Sequence, residues 1–119
     1  MPEQLGERLY LVAMSVKGRL TEDVCVNVID RIIDKIGMTK APGWTINRYP
    51  VNGKGGEGFT IFQPITESFI ALDVYDALFG GYLVICSCKE FVMAEVAEVM
   101  ESVGLQVFDF RKSQVGLAE

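Results

Sequence analysis

A chain without histidine must do any proton chemistry with carboxylates, thiols and hydroxyls. None of the 119 residues is histidine, which removes the Ser-His-Asp triad, Cys-His nucleophiles, HExxH zinc sites and every imidazole base. The reactive side chains within the apolar centre of the sequence are Thr66, Glu67, Ser68, Asp73, Asp76, Ser87 and Cys88. Ser68 is a hydroxyl nucleophile with no activating base in sight, and serines at strand starts are most often turn formers. Cys88 precedes a predicted helix, where a thiol gains acidity; a buried structural cysteine is the competing reading. Glu67 and Asp73 form a carboxylate pair six residues apart. On one strand, at about 3.3 Å per residue, they stand roughly 20 Å apart, too far to share acid–base work. The three cysteines, Cys25, Cys86 and Cys88, fall short of a four-ligand zinc set, so no metal is expected.

The elements that must position these groups are legible in the pattern. Arg8 to Val16 is an apolar run of strand length. Thr21 is a good helix N-cap, and Glu22 and Asp23 place negative charge at the positive helix end. Cys25, Val28, Ile29, Ile32 and Ile36 recur at helical spacing, and Gly37 is placed to end the helix in a left-handed residue. Trp44 to Val51 and Gly58 to Ile65 read as strands joined by Asn52-Gly53-Lys54-Gly55-Gly56-Glu57-Gly58. That loop lacks the spacing of a phosphate cradle and leads into a strand, so it reads as a hairpin connection. Ser68 to Tyr75 and Tyr82 to Cys88 are further strands, with a turn over Asp76–Gly81 between them. A second helix is expected from Lys89 to Val103, with Val92, Met93, Val96, Val99, Met100 and Val103 on one face and Gly104 closing it. Leu105 to Phe110 alternates as a half-buried strand, and the tail after Arg111 is expected to be loose.

The order is β-α-β-β followed by β-β-α-β, without a linker between the halves, so residues 1–119 read as a single domain. Two helices cannot cover both faces of a six-stranded sheet. The expected fold class is therefore α+β: a two-layer sandwich, mostly antiparallel, with two helices on one face. The other face should be shielded by a partner or left polar. A net charge of −5 argues against nucleic acid or an anionic membrane as partner. The most apolar stretch, Phe69 to Cys88, is broken by Asp73 and Asp76 and cannot cross a bilayer cheaply. No secretory signal is visible at Met1-Pro2-Glu3-Gln4, and the odd cysteine count has no disulfide-framework spacing. A reducing cytoplasm is the expected compartment.

Taken together, these residues resemble the short prokaryotic S-adenosylmethionine decarboxylases, pyruvoyl-dependent enzymes of spermidine synthesis. The resemblance runs from about Gly6 to Lys112. Its best local match is Thr66-Glu67-Ser68 after an apolar strand, where the family cuts a Glu-Ser bond through an ester and converts the serine into a pyruvoyl group at the new N-terminus. Cys88 follows Ser68 by the family's spacing of the proton-donating cysteine. Thr60 stands where the family has a serine that assists processing. The resemblance thus implies Glu67, Ser68 and Thr60 as processing residues, Ser68 and Cys88 as catalytic residues and a covalent pyruvoyl group as cofactor. It also implies a homodimer and S-adenosylmethionine or a similar small molecule as ligand. The departures are as informative. Phe69 and Asp73 replace the family's two histidines, Val74, Tyr75, Asp76 and Ala77 replace Thr-Trp-Pro-Glu, and Val84-Ile85-Cys86-Ser87-Cys88-Lys89 replaces Asp-x-Phe-x-Cys-Gly. Asp73 is left as the candidate base. The expected outcome is a degenerate member that does not self-process at Glu67-Ser68, with an active decarboxylase of S-adenosylmethionine or a related amino acid as the alternative.

Overall fold

Thr21 starts the first helix, its hydroxyl accepting a hydrogen bond from the Val24 N–H at 3.2 Å. In the computed structural model, which describes residues 8–51 and 56–116, this helix, α1, spans Glu22–Lys35 and buries Cys25, Val28, Ile29, Ile32 and Ile33. Ile36 is buried as well, and Gly37 takes φ +73°, the left-handed stop that the sequence called for.

Six strands form one sheet: β1 (Arg8–Lys17), β2 (Thr45–Pro50), β3 (Glu57–Ile65), β4 (Ser68–Tyr75), β5 (Gly80–Ser87) and β6 (Gln106–Gly116). Their order across the sheet is β2-β3-β4-β5-β1-β6, and every neighbouring pair is antiparallel. A second helix, α2, spans Met93–Ser102. The buried positions alternate along the strands: Val12, Met14 and Val16 on β1, Phe59 and Ile61 on β3, Ile70, Leu72 and Val74 on β4, Leu83 and Ile85 on β5. They form one core cluster with the inner residues of α1 and with Val96, Val99 and Met100 of α2. Each of these apolar side chains contributes on the order of 1.5–3 kcal/mol of burial. The architecture is the expected two-layer α+β sandwich, with both helices on one face.

Three expectations change. The second helix starts four residues later than Lys89. The Ser87 hydroxyl accepts from the Lys89 N–H at 2.9 Å and donates to the Lys89 carbonyl at 2.7 Å, a local turn that competes with helix formation. Val92, expected on the buried face, is therefore the exposed N-cap. The tail after Arg111 is not loose up to Gly116, because β6 continues along β1 and pairs Gly116 with Arg8. Residues 52–55 of the glycine-rich connection lie outside the described residues.

The open face of the sheet carries aromatic side chains beside polar ones. Phe62 stacks on Phe69 with ring centroids 5.1 Å apart, and Tyr75 meets Tyr82 edge-on at 5.9 Å. At the β2 edge, Arg48 bonds Glu22 at 2.7 Å and Asp76 at 3.2 Å and lies over the Phe59 ring. These contacts tie β2 to α1 and to the short 3-10 turn Asp76–Leu78, and so place the neighbouring Tyr49.

Candidate functional site

The β3–β4 hairpin turns through only Thr66 and Glu67, since Ile65 pairs with Ser68. Tight two-residue hairpins normally use glycine or asparagine to supply positive φ. Neither Thr66 nor Glu67 has positive φ, but Ser68 sits at φ +156°, a region that side chains other than glycine occupy at a cost of about 1–3 kcal/mol. The strain thus falls on the residue just after the Glu67–Ser68 peptide. Ser68 pairs with Ser87 on β5, so Cys88 comes alongside Glu67, and the Cys88 N–H donates to the Glu67 carbonyl at 2.9 Å. A donor on that oxygen is what an attack on the Glu67 carbonyl needs as charge develops there. Glu67, Ser68 and Cys88 are thus brought together.

Asp73 and Thr60 are brought together elsewhere. Thr60 faces Asp73 across the β3–β4 ladder, and its hydroxyl donates to Asp73 Oδ1 at 3.0 Å. The Tyr49 hydroxyl lies 2.9 Å from the same Oδ1 and 2.5 Å from the Thr60 hydroxyl; with one proton each, the two hydroxyls can fill only two of these three contacts at a time. Tyr75 donates to Oδ2 at 3.0 Å. Three hydroxyls therefore converge on one carboxylate on the open face. Asp73 lies five residues along β4 from Ser68, about 16 Å at the usual strand rise. Within one chain neither Asp73 nor Thr60 reaches Ser68. Asp73, expected as the base for Ser68, is thus separated from it along the strand.

Asp73's hydrogen bond and then its charge push the Tyr75 phenol above its ordinary value. For Tyr49 the Thr60 hydrogen bond pulls down, but burial and Asp73 outweigh it and the net direction is up. Both phenols stay protonated as donors at neutral pH. Sequence reasoning missed Tyr49 and Tyr75. Tyr75 was within reach, because residues two apart on a strand share a face. Tyr49 depended on a strand register that the sequence does not display. A hollow of about 210 Å³ on the open face is lined by Tyr75, Tyr82, Phe108, Leu78, Ser15 and Lys17 among others; neither Ser68 nor Cys88 lines it. Among the described residues no group of three or more Cys, Asp and Glu side chains could hold a metal ion. No helix there is long and apolar enough to cross a membrane.

The thiols differ in a way that alkylation reads directly. Cys25 is fully buried on α1; burial, and secondarily the charge of Glu22, push its thiol up to about 12. Burial also raises Cys86. Cys88 is half-buried at the end of β5. Competitive alkylation at pH 7 is expected to modify Cys88 first and to leave Cys25 until the protein unfolds; the reverse order would remove Cys88 from consideration as a reactive group.

Two helices on one face of a six-stranded antiparallel sheet define the class, an α+β sandwich. The structure is similar to the crystal structure of the adenosylmethionine decarboxylase from Aquifex aeolicus VF5, with a TM-score of 0.62 over 96% of this chain and 94% of that one, at 12% sequence identity. No family model matches the sequence, and no curated protein matches it. The likeness is one of fold.

Proposed function

We propose that the chain is an S-adenosylmethionine decarboxylase-like domain, linked to polyamine (spermidine) biosynthesis, that has kept the acyl-shift half of the self-processing site and lost the half that completes it. The observation that carries this reading is the separation on β4. Ser68, the Glu67 carbonyl and the Cys88 N–H stand together, while the only residues that the resemblance offers as aids to processing, Asp73 and Thr60, are bonded to each other about 16 Å away. Ester formation needs a nucleophile, a strained peptide and an oxyanion donor, all of which have candidates here. Elimination of the ester to a pyruvoyl group also needs a base at the Ser68 α-proton, and among the described residues Asp73 and Thr60 are engaged with each other instead. The residues do not fit the finished cofactor, so no chemistry is assigned to it here. The domain then acts by binding: it retains S-adenosylmethionine or a similar small molecule as candidate ligand and associates with itself or an active homologue in the cytoplasm.

Denaturing mass spectrometry of freshly purified protein tests this. One species near 13.2 kDa is expected. Two fragments meeting between Glu67 and Ser68, the later one carrying a hydrazine-reactive carbonyl, would overturn it. The alternative, an active pyruvoyl-dependent decarboxylase with Cys88 as proton donor, is favoured by the strain at Ser68 and by the position of Cys88 beside Glu67, and that fragment pattern would establish it.

Assembly is a second expectation. Phe62, Tyr82 and Phe108 are exposed on the free chain, and a second copy packing there in two-fold symmetry would bury them. Light scattering at ~100 µM, well above any useful affinity, is expected to give twice the chain mass. A monomer at that concentration would count against the homodimer.

A further inference from the structure

The segment between α1 and β2 is tied to the Thr66–Glu67 turn along its length. Thr66 donates its N–H to the Thr39 carbonyl at 2.8 Å, and Ala41 donates to the Pro64 carbonyl at 3.0 Å. Lys40 forms a bridge with Ile65. The buried Gln63 amide donates to the Ala41 carbonyl at 2.9 Å. From the other side, Lys89 Nζ donates to the Gly37 carbonyl at 2.8 Å, which links the same segment to the residue after Cys88. The central contact is made by a side chain: the Thr39 N–H donates to Glu67 Oε1 at 3.1 Å. Every other hydrogen bond between this segment and the turn uses the backbone of the turn. Only this one depends on which residue occupies position 67.

We propose that the Glu67 side chain is a positioning group, held by the Thr39 amide so that the turn cannot relax the strain at Ser68. The proposal rests on the reading of Glu67–Ser68 as an acyl-shift site and names what controls that site. A two-residue turn without glycine has one cheap escape, rotation of the Glu67 peptide, which would relieve Ser68 and carry the Glu67 carbonyl away from the Cys88 N–H. Anchoring the Glu67 carboxylate to the segment after α1 opposes that rotation. Glu67 then takes no part as a proton donor, because its role requires only an oxygen acceptor. The step it serves is the shift itself. Ser68 Oγ bonds to the Glu67 carbonyl carbon, the carbon–nitrogen bond breaks, and the hydroxyl proton ends on the freed Ser68 amine. The resulting ester reverts unless it is intercepted.

Hydroxylamine intercepts it, by attacking the ester carbon to leave a hydroxamate on Glu67 and a free hydroxyl on Ser68. The full-length protein incubated with neutral hydroxylamine is expected to be cut between Glu67 and Ser68, and Ser68→Ala is expected to remain whole. Glu67→Gln keeps a side-chain oxygen for the Thr39 N–H and should be cut at the wild-type rate. Glu67→Ala should be cut roughly tenfold more slowly, the effect of losing one hydrogen bond, with circular dichroism verifying that it is folded. Equal cutting of Glu67→Ala and wild type would overturn the positioning role and leave the acyl-shift reading intact. Loss of cutting in Glu67→Gln would show that the negative charge is required, and would also overturn it. A wild-type protein that resists hydroxylamine would overturn both.

Discussion

Gly81→Ala is expected to destabilise the fold by about 3 kcal/mol, at the upper end for overpacking in a well-packed interior. A Cβ at this position would overlap the Asp73 carbonyl oxygen and stand 3.0 Å from the Val74 Cα. Both neighbours are backbone atoms of β4, which pairs with β5 at Val74–Gly81. No side chain can swing aside, so two central strands must separate. For a chain of this length, the loss corresponds to a fall of roughly 12 °C in Tm. Gly104→Ala is the control: its Cβ meets nothing within 4 Å, although its φ of +85° is unfavourable for alanine by about 1–2 kcal/mol. Thermal melts that rank Gly104→Ala as the more damaging substitution would contradict the close β4–β5 approach. The strand that Gly81 would displace also carries Asp73, so the convergence of Tyr49, Thr60 and Tyr75 on that carboxylate depends on a glycine across the ladder.

Ser68→Gly is expected to have the opposite sign. Glycine occupies positive φ without the clash that a Cβ brings, so the cost of about 1–3 kcal/mol held at Ser68 is released. Part of it returns, about 0.5–1 kcal/mol, because the unfolded chain gains freedom with the new glycine. A net gain of about 1 kcal/mol corresponds to a Tm higher by roughly 4 °C. Ser68→Ala keeps the Cβ and should melt close to wild type, which separates backbone relief from loss of the hydroxyl. A lower Tm for Ser68→Gly would show that the backbone at Ser68 is not strained. A stabilising mutation at the one serine able to attack Glu67 is the pattern expected of a site that keeps strain for chemistry.

Much of the scaffold was legible because it follows from local rules. Thr21 capping α1, the helical spacing of Cys25 to Ile36 and the left-handed glycines Gly37 and Gly104 each depend on a few neighbouring residues. The strand-length runs that became β3, β4 and β5 are equally local, and with two helices available the six strands dictated a sheet covered on one side. Composition alone removed imidazole chemistry. Reading the sequence failed in two places, one governed by a local turn and one by a distant strand. The start of α2 is delayed by the turn that Ser87 makes around Lys89, a segment that Lys89 also fastens to Gly37 on α1. β6 runs on to Gly116 because β1, far away in sequence, supplies a ladder for it.

The candidate site divides along the same line. Which residues carry hydroxyls, thiols and carboxylates, and that Ser68 begins a strand after a short turn, is determined by the sequence itself. That Asp73 belongs with Tyr49, Thr60 and Tyr75 rather than with Ser68 was decided by the tertiary structure, since a strand rises about 3.3 Å per residue and its ladder register chooses every neighbour. The same register brings the Cys88 amide onto the Glu67 carbonyl and the Thr39 amide onto the Glu67 carboxylate. Hydrogen bonds between residues this far apart in the chain leave no periodic trace in it. They exist only once the sheet has formed and the segment after α1 has been drawn against the β3–β4 turn.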